Sequence, residues 1–294
     1  MSTAEEQDRM LALSSSLFPD SWVGRTPFQL PLPVEVVAYI VVTLVCLGIL
    51  GLVVQANRQR RRRGMPGWRW TTQDLLVIAI LGVLLEVYDN LIGDQFVTPL
   101  TQAIPFTHAF ALNDLPYMFL LMVGIAIIRK PGAATALVFL NFLLMQLLYG
   151  GGESSPLYWP YGLLQGVFVD LYLVLRRGNV FSSAGPRAMV EGLVMGALRA
   201  VPAVTISSAL IHPLLDGATE TGAFILLYSV FNLVGNGIEA AITAPLAIRV
   251  ARTVNPAVGY GDADLAAPSP AGQVEARADA GTAVTAGSGK EVTR

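Results

Sequence analysis

The chain has 294 residues, 53% of them hydrophobic and 14% charged, with a formal net charge of −2. A water-facing domain averages about a quarter charged residues, so composition excludes a soluble globular surface. With apolar runs near spanning length recurring along the chain, it predicts an integral membrane protein. The single cysteine, Cys46, lies in an apolar run and excludes an intramolecular disulfide, a cysteine-based zinc cluster and a CxxC redox pair.

Residues 1–33 form a polar, proline-containing segment predicted to be extracellular. No basic stretch precedes an apolar core there, so a cleaved signal peptide is not expected. A first transmembrane helix is predicted over 34–56, followed by a basic cytoplasmic linker at 57–70, "NRQRRRRGMPGWRW". Its arginines, Arg58, Arg60, Arg61, Arg62, Arg63 and Arg69, follow a span directly, which marks the cytoplasmic side. Beside a membrane, the Arg58–Arg63 run suits anionic lipid headgroups better than nucleic acid. A six-helix membrane core is predicted over 71–253, with spans at about 72–93, 116–128, 131–149, 160–175, 187–212 and 220–248. Pro202 and Pro245 fall inside apolar runs and are natural kink sites. The fold class is therefore all-α, a polytopic membrane protein with seven transmembrane helices.

The connections fix an expected orientation. With 57–70 inside, the connections 94–115, 150–159 and 213–219 are outside, and none contains lysine or arginine. The alternate connections carry Arg129 and Lys130, then Arg176, Arg177 and Arg187, then Arg249 and Arg252. The N-terminus is predicted outside and the C-terminus inside the plasma membrane of a prokaryote. The tail at 254–294, rich in Ala, Gly, Asp and Glu, is predicted to be disordered and cytoplasmic.

Polar residues gather in the outer halves of these spans: Glu86, Tyr88, Asp89 and Asn90; Asn141, Gln146 and Tyr149; Trp159, Tyr161 and Gln165. Tyr228, Asn232, Asn236 and Glu239, spaced four, four and three apart, form one helical stripe. Carboxylates and amides inside a bilayer normally face a cavity or a partner, so these residues suggest a polar pocket opening outward. Tyr149, Trp159 and Tyr161 suit an interfacial aromatic belt equally well, and the amides suit interhelical hydrogen bonds. Arg199 needs a partner at mid-span, and Asp170 and Glu239 are placed to neutralise it as a structural ion pair, with direct contact to an anionic substrate as the alternative. Gly192, Gly196 and Ala200, and likewise Gly162 and Gly166, form small-residue ladders that allow close helix approach. Neither a Walker-type phosphate loop nor an HExxH or GxSxG motif is present, and His108 and His212 lie far apart in external segments. No catalytic centre, cofactor or metal is predicted.

Three stretches carry a family resemblance: the Ile128–Ala134 turn "IRKPGAA", the helix ending "LLYGG", and "YGLLQGVFVDLYLVL" at 161–175. From about Trp70 to Arg252 the chain resembles the substrate-binding S components of energy-coupling-factor (ECF) transporters, most of all the YkoE-type members associated with thiamine or its hydroxymethylpyrimidine precursor. The resemblance implies a six-helix core that binds a vitamin near its outer face, with a T component and two ABC ATPases as partners. It implies a substrate site among Glu86, Tyr88, Asn90, Asn141, Gln146, Tyr149, Trp159, Tyr161, Gln165, Asn232 and Asn236. It also implies a partner contact at Ala79 and Gly82, where the family shows an AxxxA motif, and sets Asp170 where the family has a glutamate. A stand-alone small-metabolite permease, and a membrane enzyme using Glu86, Asp89 or Glu239 as acid and base, are the alternatives.

Overall fold

A computed structural model describes residues 27–97, 99, 114–148, 155–183 and 185–254. The expected extracellular segment up to residue 26, the expected disordered tail from 255, Tyr149 and His108 lie outside the described residues. Within them, seven helices follow one another: α1 (Leu32–Arg62), α2 (Thr72–Val97), α3 (Leu115–Ile128), α4 (Ala133–Leu148), α5 (Trp159–Leu175), α6 (Pro186–Asp216) and α7 (Gly222–Val254). Four of these, α1, α2, α6 and α7, are long and apolar enough to cross a membrane, and α3 and α4 are shorter apolar helices. Strands are absent among the described residues apart from an isolated bridge between Pro27 and Thr221. The protein is an all-α polytopic membrane protein.

The packing order differs from the chain order. Going round the bundle, α2 packs on α4, α4 on α5, α5 on α6, α6 on α7, α7 on α3, and α3 on α2, which closes a ring of six helices. α1 lies outside this ring against α5 and the distal part of α6, tied by the Tyr39 hydroxyl donating to the Leu157 carbonyl at 2.6 Å. Most of its large apolar side chains, among them Val37, Leu44, Leu47 and Leu52, are exposed, as on a helix that faces lipid.

The tightest crossings rest on glycine. A β-carbon on Gly192 or Gly196 of α6 would run into the backbone carbonyls of Ala240 and Asn236 on α7, and one on Gly166 of α5 would strike the Thr135 backbone of α4. In lipid, helix association depends on such close backbone approach because apolar side chains gain nothing by leaving apolar solvent.

The arginine-bearing connections all lie at one end of the ring, and that end is held by buried acids. Asp74 completes a capping box with Thr71 at the start of α2 and also pairs with Lys130 of the α3–α4 turn. Glu191 of α6 accepts from Arg176 Nη2 at 2.9 Å, Arg187 Nε at 3.3 Å and the Phe181 amide at 2.5 Å, fixing the α5–α6 loop. The arginine run is not the predicted linker: α1 continues helical through Arg62 and ends before Gly64, whose φ is 73°. Arginine is a good helix former and complements the negative end of the helix dipole, so the run extends the helix. The linker then turns back, with Asn57 and Trp68 exchanging hydrogen bonds and Arg60 stacked 5.2 Å from the Trp68 ring. Trp70 closes over Gly132 of the α3–α4 turn.

Candidate functional site

α2 changes from α- to π-helix at Val87 and stays so to Val97. A π segment shifts the direction in which side chains leave the axis and recurs at functional sites. It follows directly on Glu86, which is buried. One Glu86 oxygen accepts from Asn90 Nδ2 at 2.7 Å and the other from Asn141 Nδ2 of α4 at 2.6 Å. The Asn141 oxygen accepts from the Tyr117 hydroxyl of α3 at 3.2 Å. Above the Tyr117 ring, 4.5 Å from its centroid, lies the Arg199 guanidinium of α6. Arg199 donates to Asn236 Oδ1 of α7 at 2.6 Å and to Gln165 Oε1 of α5 at 3.1 Å, and its nearest carboxylate among the described residues is Asp114, at 3.8 Å. Asn236 in turn donates to Asn232 Oδ1 at 2.8 Å. A single polar path thus crosses the interior of the ring and draws on all six of its helices.

The structure brings together six of the residues expected to bind substrate: Glu86, Asn90, Asn141, Gln165, Asn232 and Asn236. Tyr88 is buried beside them, where the charges of Asp114, Asp89 and Glu239 act on it. Gln146 and Trp159 pair with each other, whereas Tyr161 lies close enough to act electrostatically on Arg199 and Tyr117. Trp159 donates its indole N–H to Gln146 Oε1 at 3.2 Å, meets Phe139 edge-on and is 44% exposed. Tyr161 packs against Phe142 and His212, next to a group in which Tyr158 and His212 both bond Asp216. These aromatics lie toward the end of the bundle opposite the arginines, and Tyr161 links that end to the interior network.

The expected Asp170–Arg199–Glu239 ion pair does not form. Asp170 accepts from the amides of Gly132 at 2.8 Å, Ala134 at 3.2 Å and Thr135 at 2.8 Å, and from the Thr135 hydroxyl at 2.5 Å. It caps the N-terminus of α4 from a neighbouring helix, supplying the acceptors that a helix start lacks. Gly166, one turn away on α5, lets the two backbones come close enough for this cap. Glu239 is 1% exposed, and neither of its oxygens has a hydrogen-bond partner among the described residues. The expected partner contact is also altered. Gly82 faces inward, where a β-carbon would meet Leu140 of α4, and of the two only Ala79 is exposed.

Two members of the network escaped the sequence reading. Tyr117 looks like one more aromatic in an apolar helix, and Asp114 like an ordinary acid before a helix-starting Leu-Pro pair. Their spacing carries no signal, because their partners come from α4 and α6. Among the described residues, no group of three or more His, Cys, Asp or Glu side chains is arranged to hold a metal ion.

Residues 73–198 match the family model described as ABC-type cobalt transport system, permease component. No curated protein and no solved structure matches the chain. The match supports a membrane component of an ABC-type transport system. The matched stretch takes in Glu86, Asn141, Gln165 and the Asp170 cap, and it ends one residue before Arg199.

Proposed function

We propose that the protein is the substrate-binding membrane subunit of an ECF-type importer, and that its cargo is thiamine or a related heteroaromatic precursor. The observation that carries this reading is the interior polar network, drawn from six helices of a closed ring and holding a guanidinium, six amides or phenols and two carboxylates. Polar groups of this kind are costly in a bilayer and are retained where they meet a cargo or one another. Amides and a phenol read ring nitrogens and hydroxyls. The T component and two ABC ATPases would supply the energy, and the Arg58–Arg63 end of α1 would rest on anionic lipid. The N-terminus outside and C-terminus inside follow the distribution of arginine.

The matched family is described by cobalt transport. A cobalt cargo calls for converging imidazole, thiolate or carboxylate ligands, whereas the interior groups are mostly amide, phenol and guanidinium. Calorimetric titration of the purified protein with thiamine, hydroxymethylpyrimidine and Co²⁺ separates the two. Binding of either organic compound is expected; binding of Co²⁺ alone overturns the vitamin reading.

A further inference from the structure

The interior holds two buried glutamates in opposite circumstances. Both oxygens of Glu86 are occupied, one by Asn90 and one by Asn141. Glu239 is equally buried, and both its oxygens are without a hydrogen-bond partner among the described residues. Arg199 acts on it electrostatically, as does Asp114 with the opposite sign, but neither makes contact: the guanidinium is held by Asn236 and Gln165. A buried carboxyl group left this way is unfavourable whether it stays charged or takes up a proton. Such a group persists where a ligand completes it.

We infer that Glu239, and not Glu86, is the carboxylate that binds the transported molecule, and that it does so through a planar pair of N–H donors such as an amidine or aminopyrimidine edge presents. The inference rests on the reading of the protein as a substrate-binding subunit. Both Glu239 oxygens lack a partner among the described residues, and two parallel N–H···O bonds are the arrangement in which one carboxylate satisfies both at once. A single ammonium would leave one of them short. Asn232, Asn236 and Glu239 follow at spacings of four and three on α7 and share one face, so a molecule on Glu239 lies beside the two amides. Arg199 Nε, also without a partner among the described residues, offers a donor for an acceptor atom elsewhere on the same molecule. The site therefore selects a dipolar ring with donors at one edge and an acceptor at another.

The test uses wild type, E239Q and E86Q in detergent, with two probes: benzamidine, which has the amidine group and nothing else of a vitamin, and 4-amino-5-hydroxymethyl-2-methylpyrimidine. Calorimetry is expected to show both probes bound by wild type and weakened about tenfold to a hundredfold by E239Q, the range for charge-assisted hydrogen bonds. Thermal unfolding without probe supplies a second readout. E239Q should unfold at the wild-type temperature or above it, because the carboxyl it replaces has no hydrogen-bond partner among the described residues to lose, while E86Q should unfold lower. If both probes bind E239Q as they bind wild type, the inference is overturned and the vitamin reading stands. If benzamidine binds through Glu239 and the aminopyrimidine does not bind at all, the inference stands and the vitamin reading falls. Failure of wild type to bind benzamidine, or a lowered unfolding temperature for E239Q, overturns the inference.

Discussion

At the scale of single residues, the acids of this protein divide by what they touch. Asp170 has four donors and no access to the interior network, so its work is to hold α4. Asp170→Asn should cost about 2 kcal/mol of stability, the combined size of a lost cap and a weakened buried acceptor. Cargo affinity of the folded fraction should be unchanged, and unfolding curves beside calorimetry check both statements. A folded variant that has lost binding would place Asp170 in the pocket after all. Trp159 poses the reverse case. Its indole is spent on Gln146 and it stands at the end of the bundle, away from Arg199 and Glu86. Trp159→Ala should leave affinity within about twofold of wild type, as for an ordinary exposed substitution. A loss of tenfold or more would move the site out to that end.

At the scale of helices and turns, the stretches with the strongest sequence signature turn out to build the frame. The "KPGAA" turn and the "QG" helix are one unit: Gly166 admits the Thr135 backbone and Asp170 caps the turn that follows Pro131. Helix positions and the alternation of arginine were legible because they depend on local composition and on period. The partners of Arg199 were not, because they arrive from α3, α5 and α7 by way of a ring order that chain order does not reveal. The π segment beginning at Val87 was equally hidden, since its residues read as the end of an ordinary span. Glycine spacing was visible, but which glycines matter was not. Gly196→Val should abolish folded protein and the site together, because its neighbour is the Asn236 backbone, whose side chain holds Arg199. Gly51→Ala meets nothing within 4 Å and removes a flexible residue from a helix. It should be neutral or stabilising by up to about 1 kcal/mol. The yield of monodisperse protein for the two variants is the comparison to make, and equal yields would mean that α6 and α7 are not packed backbone to backbone.

At the scale of the whole molecule, the two ends of the ring differ in chemistry. One end gathers Arg129, Lys130, Arg176, Arg177 and Arg187, with the end of α1 and its arginine run beside it. The other carries Trp159, Tyr161, His212 and Asp216 and no lysine or arginine among the described residues. A membrane protein places the basic end in the cytoplasm, so the aromatic end should face outward and cargo should enter from there. Introduced cysteines test this directly. Cys46 is fully buried and should give little background with a membrane-impermeant thiol reagent. Gly64 and Gly217 are poor places for a probe because their φ angles of 73° and 68° strain any side chain. Their exposed neighbours Met65 and Ala218 avoid this. In intact cells Ala218→Cys is expected to react and Met65→Cys to react only after permeabilisation. Labelling of Met65→Cys from outside, with Ala218→Cys protected, would invert the protein, turn the aromatic end toward the cytoplasm and make the interior network an exit site in place of an uptake site.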